Sequence, residues 1–439
     1  MKKNLLIVLW LAQYGLFAQA DKTSPPGYEQ IEFRATARPD RILLSMQGDA
    51  ARSFTVTWRT DSTVQNATLE WARADASPFF VDYTTRVPAS VTALRTKIGT
   101  VLYHKVSIDT LKPSTLYAYR VGDGRYWSEW FHYRTAAAKP EPFSFVYLGD
   151  AQTKIYSLWS RAIRGAYQYA PNARFVIHAG DLINTANNDY EWAEWFAAGS
   201  FIHATIPSVV TPGNHEYESN GSGKKISMFW NPQFNMPNNG PEGLEDQTYY
   251  FDYQNVRVIS LNSNEQIERQ REWVESILKE NPNAWTVITF HHPVFSAARG
   301  RSNDPLIKEW KPVFDKYNVD LVLQGHDHTY ARGQNIEQGK NVRDGETGPV
   351  YVVSVSGPKM YPITSARWMK RAAENTQVFQ VISIDKNKLT YKAIQVTGEV
   401  YDAFELIKKK GKPNKLIEIK PEVMQERTMK NTLNEKKKE

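Results

Sequence analysis

At 439 residues, 41% hydrophobic and 23% charged, the chain has material for two or three domains with buried cores, which excludes a disordered or fibrous polymer. The 54 Lys and Arg exceed the 47 Asp and Glu by seven, but eleven Lys/Arg against five Asp/Glu fall between Lys408 and Glu439, so the body is near neutral and no nucleic-acid partner is expected. With no cysteine there is neither a disulfide framework nor a lipid-attachment thiol, and stability must come from the core and any bound metal.

The first twenty residues read as a signal peptide. Lys2 and Lys3 precede a short apolar run from Leu5 to Phe17, and Ala18-Gln19-Ala20 offers small side chains for cleavage before Asp21. The run is too short for a membrane span, and no other stretch is long and apolar enough to be one. An exported protein, periplasmic or extracellular, is the expectation.

Residues 21–138 form the first predicted domain. Alternating runs at 53–58, 102–108 and 116–121, the last closed by Gly122-Asp123-Gly124, carry a period of two and no helical period. They predict an antiparallel β-sandwich, with Trp58 and Tyr117 in its core. A proline-broken linker, Ala136 to Pro142, follows.

Beyond it the pattern changes. Strands are predicted at 143–148, 175–178, 206–210, 285–290 and 319–323, and helices at 155–169, 189–198, 266–279 and 305–317. Strands at 350–355 and 378–384 close an α/β domain spanning 143–400. Residues 216–241 read as one long loop, and 401–439 as a solvated basic tail.

Polar residues follow the strands of this second domain in series: Gly149-Asp150, Gly180-Asp181, Gly213-Asn214-His215, His291-His292-Pro293 and Gly325-His326-Asp327-His328. Each piece alone also reads as a turn, a loop or a strand end. In an open α/β sheet, ligands bind beyond the carboxyl ends of the strands, so residues delivered there converge though distant in sequence. Gly325 is expected to allow the bend that turns two imidazoles into one pocket. Oxygen and nitrogen donors without thiolate suit zinc, iron or manganese. His178 reads as a core histidine.

The ordered set resembles the calcineurin-like metallophosphoesterases and, with a β-sandwich in front, the bacterial relatives of the purple acid phosphatases. The resemblance implies a fibronectin III-like first domain, and a second domain of two β-sheets flanked by helices. It implies two divalent metal ions (Fe, Zn or Mn). Asp150 and His328 would bind the first, Asn214, His291 and His326 the second, and Asp181 would bridge them. His215 and His292 would serve catalysis, and Asn214, His215 and Arg332 the substrate. Paired ions generate hydroxide from bound water at neutral pH and neutralise phosphate oxygens during in-line attack. The sequence departs from the purple enzymes at Asn184, where they carry the tyrosine that binds ferric iron, so no purple band is expected; Asn184 or Gln152 would then lie near the first metal. The expected activity is hydrolysis of a small phosphate monoester. Phosphodiester or nucleotide hydrolysis is the nearest alternative, and a non-catalytic exported binding protein is the alternative of another class.

Overall fold

Phe54, Val56 and Trp58 enter one apolar core while Thr55, Thr57 and Arg59 face away from it, the alternation that a pleated strand imposes. In the computed structural model of the protein, which describes residues 33–220, 223–298, 300–334, 346–364, 367–409 and 412–428, this strand, Phe54–Asp61, lies inside an antiparallel four-stranded sheet. Its neighbours are Asp40–Ser45 and Gly99–Ile108, with Ser90–Thr96 at the far edge. A second four-stranded sheet, ordered Thr85–Pro88, Thr68–Arg73, Leu116–Gly122 and Phe131–Arg134, closes the sandwich. The predicted leader lies outside the described residues.

The polar face of Phe54–Asp61 is buried too, because it docks on the second domain. Thr57 Oγ1 donates to the Gln233 carbonyl (2.6 Å) and Tyr119 Oη to that of Ala204 (2.6 Å). Arg41 and Arg59 reach the Asp189 carboxylate at 2.6 and 3.5 Å, both guanidiniums almost wholly buried. Asp189 begins the helix Asp189–Gly199, whose N-cap Asn188 accepts from Tyr190 N–H. The sandwich is thus fixed by charge to an element that leads into the site.

The second domain has four layers. Along the seven-stranded sheet, Val287, Leu321, Leu323, Val350 and Val352 face inward, while Ile288, Val322, Tyr351 and Val353 face outward. The outward set is covered by the helices Ile267–Lys279, Asp304–Glu309 and Lys311–Lys316 through Val274, Leu278, Trp310 and Phe314. The inward set meets Phe145 and Tyr147 of an eight-stranded sheet, which Ser160–Tyr169 and Asp189–Gly199 cover from outside. Hydrogen bonds stitch the two sheets together: Tyr249 Oη donates to the Val210 carbonyl (2.8 Å) and Gln380 Nε2 to Ser354 Oγ (2.7 Å). Parallel strands Phe143–Leu148, Val176–His178 and Ser208–Val210 in one sheet, and Trp285–Thr289 and Leu321–Gln324 in the other, bring their carboxyl ends to one edge.

Three expectations need correction. The supposed tail supplies two strands, Val400–Lys409 and Lys412–Glu418, and Tyr401, Phe404 and Leu406 are buried in the core; its lysines lie on strands whose other face is apolar. The domain therefore extends beyond residue 400, and residues 429–439 lie outside the described residues. The long loop is replaced by a hairpin, Tyr217–Asn220 with Gly223–Ile226, and a short helix, Trp230–Gln233, anchored by buried Phe229, Trp230 and Phe234. The helix expected at 305–317 is two, because Pro312 has no N–H to continue the first and sits at the start of the second.

Candidate metal centre

Every side chain of the predicted constellation except Arg332 reaches that edge. Asp150 and Asp181 follow strands of one sheet, and His291, His326 and His328 follow strands of the other. Asp150, Asp181 and His328 offer donor atoms within 4.8 Å of one another; so do Asp181, His291 and His326, and the two groups share Asp181. Asn214 Oδ1 joins the second group at 3.2 Å from His291 Nε2.

Local backbone geometry explains the convergence. Asp181 (φ 50°), His326 (φ 73°) and His328 (φ 49°) adopt left-handed conformations, which are uncommon for residues other than glycine and are taken most readily by Asn, Asp and His. The role expected of Gly325 is different from the one observed. The bend is carried by His326 and His328, and Gly325 is needed because a Cβ there would stand 2.5 Å from Asp150 Oδ1. At Gly213, likewise, a Cβ would stand 2.2 Å from Asp181 Oδ1.

Hydrogen bonds fix each ring. His291 Nδ1 donates to the Ala179 carbonyl (2.9 Å), leaving Nε2 to face Asp181 Oδ2 at 3.2 Å. His328 Nδ1 donates to the Lys359 carbonyl (3.1 Å), leaving Nε2 at 3.6 Å from Asp150 Oδ2. A backbone carbonyl on one nitrogen leaves the other unprotonated for a cation. The carboxylates are held by amides: His326 N–H donates to Asp150 Oδ1 (2.7 Å) and His215 N–H to Asp181 Oδ1 (2.9 Å). Asp150 Oδ2 is buried with no hydrogen-bond partner among the described residues. A buried, unsatisfied carboxylate oxygen is costly in a dry site and is satisfied by a cation between it, Asp181 and His328. The residues present therefore fit a metal pair.

Electrostatics point the same way. Burial raises Asp150 to about 7, opposed by His291, while Asp181, though buried, is held well below the carboxylate range by His291 and His215. Burial works against charge on His291, but Asp181 and Asp150 outweigh it and raise it to about 9. Burial pushes His292 and His328 down to about 3, and lowers His326 further. Without cations the cluster shares protons between carboxylate and imidazole; cations would replace those protons.

Sequence reasoning missed several supports. Glu216, directly after His215, accepts from the backbone amides of Asp181 (2.9 Å), Leu182 (2.8 Å), Ile183 (3.3 Å) and Gly213 (2.6 Å), tying two ligand loops together. Its place beside Asn214-His215 was the available signal. Of the two amides considered for the first metal, Gln152 takes the inner place. Its Nε2 donates to Asp181 Oδ2 (2.6 Å) and lies 3.4 Å from His328 Nε2, while the Asn184 side chain turns to Thr185. His215 is half-buried, with Nδ1 donating to the Asn184 carbonyl (2.5 Å). His292 packs against the His326 ring (4.4 Å), with Nδ1 at 2.8 Å from Ser263 Oγ. Arg332 is a correction: its guanidinium is buried between Asp402 (2.7 Å) and Glu418 (2.8 Å), strands the sequence reading had assigned to the tail, so it is committed to the fold and not to substrate. His178 lies buried between Trp159 and Trp195.

Comparison with known proteins agrees with this architecture. Residues 143–330 match the calcineurin-like phosphoesterase family, and residues 39–135 match the purple acid phosphatase N-terminal domain. Purple acid phosphatase 18 of Arabidopsis thaliana is 25% identical over 418 residues, 88% of either chain. Fe(3+)-Zn(2+) purple acid phosphatase 12 of the same plant is 25% identical over 289 residues, 58% of this chain and 59% of that one. The solved purple acid phosphatase PPD1 of yellow lupin superposes with a TM-score of 0.71 at 20% identity, covering 84% of this chain and 74% of that one. The chain thus carries a calcineurin-like phosphoesterase domain behind a purple acid phosphatase N-terminal domain, and it is a metal-dependent hydrolase of phosphoric esters. It is similar to the purple acid phosphatases, a family built on a binuclear metal centre.

Proposed function

We propose that the protein is an exported phosphatase that hydrolyses small phosphate monoesters at a two-metal site. The observation that carries this reading is the sharing of Asp181 by two donor groups, one of which contains the orphaned Asp150 Oδ2. Asp150 and His328 would hold one ion, Asn214, His291 and His326 the other, with Asp181 between them. When bound, such a pair activates water and neutralises phosphate oxygens. Iron, zinc and manganese all suit these donors; a tyrosine-stabilised ferric ion does not, because the inner place belongs to the neutral amide of Gln152.

The protein's own groups do the rest. Asn214 and His215 face the phosphate. With Nδ1 committed to the Asn184 carbonyl, His215 keeps Nε2 for the leaving oxygen, to which it gives a proton from its doubly protonated, imidazolium form. His292, kept neutral by burial, orients the ester by hydrogen bonding. Export is proposed on the first twenty residues alone.

The test is hydrolysis of an aryl phosphate monoester by protein purified with its metals. Activity with about two ions per chain, abolished by Asp181→Ala, supports the reading. Faster hydrolysis of the matching diester would favour the diesterase alternative. Bound metal with no hydrolysis of either ester would favour a binding protein.

A further inference from the structure

The mouth of the metal centre carries cationic side chains beyond the metal ligands. Two of them, from two separate loops, gather there. Arg301, on the loop after His292, donates from NH1 to the His326 carbonyl (2.9 Å) and lies 3.3 Å from Asp327 Oδ1. Lys359, on the loop after Val350–Val353, reaches Gln152 Oε1 with Nζ at 3.3 Å.

Their arrangement is layered. The ring of Tyr361 packs edge-on against His328 at 4.7 Å, and its backbone N–H donates to the His328 carbonyl (3.1 Å). Arg301 lies over that ring at 5.0 Å and Lys359 at 5.7 Å. Tyr361 therefore gathers two cations one side chain outward from the metal ligands. Cation–π contacts of this kind hold charged heads in place without neutralising them.

Lys359 is not neutralised. Among the described residues it has a neutral amide as its acceptor and no carboxylate within ion-pair distance. Arg301 is paired with Asp327 Oδ1, while the other oxygen of that carboxylate accepts from Ser296 Oγ (2.7 Å) and the N–H groups of Ala297 (2.7 Å) and Ala298 (3.2 Å). Among the described residues Arg301 donates from NH1 alone, which leaves Nε and NH2 as donors for a bound anion. Lys359 supplies uncompensated charge beside them, and the two side chains are left for a second anion.

We propose that Arg301 and Lys359 form a second anion subsite at the mouth of the metal centre, selecting phosphate esters that carry another phosphate on the leaving group. This inference rests on the phosphoesterase reading and names its substrate class. Water oxygen adds to the inner phosphorus, the bond to the ester oxygen breaks, and that oxygen takes a proton. The products are inorganic phosphate and the remaining monophosphate, whose phosphate the outer cations release.

The test compares fructose 1,6-bisphosphate with fructose 1-phosphate and fructose 6-phosphate, using the metal-loaded full chain and reading released phosphate. At low ionic strength kcat/KM for the bisphosphate is expected to exceed the sum for the two monophosphates by about tenfold, and the excess to shrink as salt screens the outer charges. Lys359→Met and Arg301→Gln should each cut that ratio several-fold through KM, and Lys359→Arg should restore it. If Arg301→Gln fails to fold, Lys359→Met and the salt series decide. A ratio near one in the unmodified protein, with an aryl phosphate still hydrolysed, overturns the second subsite and leaves the phosphoesterase reading intact. Hydrolysis of none of these esters overturns both.

Discussion

Gln152 shows how one side chain can redirect the chemistry of a site. Its amide enters the space between Asp181 and His328, while position 184, where the resemblance implies a tyrosine, holds an asparagine turned to Thr185. A neutral amide stabilises a trivalent ion far less than an anionic phenolate does. Metal-loaded protein should therefore be colourless, and a visible spectrum with a tyrosinate-to-iron band would refute this. Gly325 makes a second prediction. A methyl group there would stand 2.5 Å from Asp150 Oδ1, with backbone and His291 close by, so Gly325→Ala must displace the carboxylate or the loop. Phosphatase activity should fall by about a hundredfold or more, as expected when a reacting geometry shifts by an ångström. Metal analysis should show loss of the ion held by Asp150. A variant with full metal content and activity would remove Gly325 from the site's construction.

At the level of elements, the helix Asp189–Gly199 is the joint between the domains. Its Asp189 faces two nearly buried guanidiniums, Arg41 and Arg59, and Arg59 has a further partner in Asp40 (2.7 Å) while Arg41 has no other acid within ion-pair distance among the described residues. Removing one partner of a buried pair leaves an uncompensated charge and costs about 3–5 kcal/mol. Asp189→Ala should lower unfolding free energy by roughly that amount in urea titrations, whereas Asp109→Ala, at an exposed position, should leave it unchanged within error. The sequence made some elements plain and hid others. Strand ends in the second domain were readable because each pairs a short apolar run with a glycine or histidine signature. The strands Val400–Lys409 and Lys412–Glu418 were hidden by their lysines, which break up the apolar residues, Tyr401, Ala403, Phe404 and Leu406 among them, that the fold buries. Arg332 was misread for the same reason: its acidic partners, Asp402 and Glu418, lie on those two strands. Gln152 and Glu216 were legible as neighbours of ligands, but what they bond depends on folding that brings together loops 29 and 35 residues apart in the chain.

For the whole molecule, burial of neutral histidines sets a dependence on pH. His203, stacked on Trp195 at 4.1 Å, is lowered by burial to about 3, and His178 beside it is lowered well below its ordinary value. The unfolded chain takes up these protons as pH falls through about 6.5, and the folded chain resists. Their contribution is therefore complete above about pH 6.5 and is lost as pH falls toward 3. Glu194, raised by burial to about 7, acts in the opposite sense, because its charging on unfolding favours the unfolded chain as pH rises from about 4.5 to 7. The effect of His203 is read by difference: the unfolding free energy of His203→Gln in urea, relative to that of the unmodified protein, should rise as pH falls from about 6.5 to 4. A difference that does not change with pH would contradict the assignment. A different consequence follows from the origin of the ligands. Asp150, Asp181 and Asn214 hang from the eight-stranded sheet, while His291, His326 and His328 hang from the seven-stranded one, so any ion held between them is a rivet through the two halves of the domain. Ions that bind the folded chain far more tightly than the unfolded one raise its melting temperature by mass action. A chelator should lower the midpoint by several degrees and sharpen amide exchange at the carboxyl ends of both sheets together, a mechanical role for the metals that persists even in a variant unable to turn over substrate.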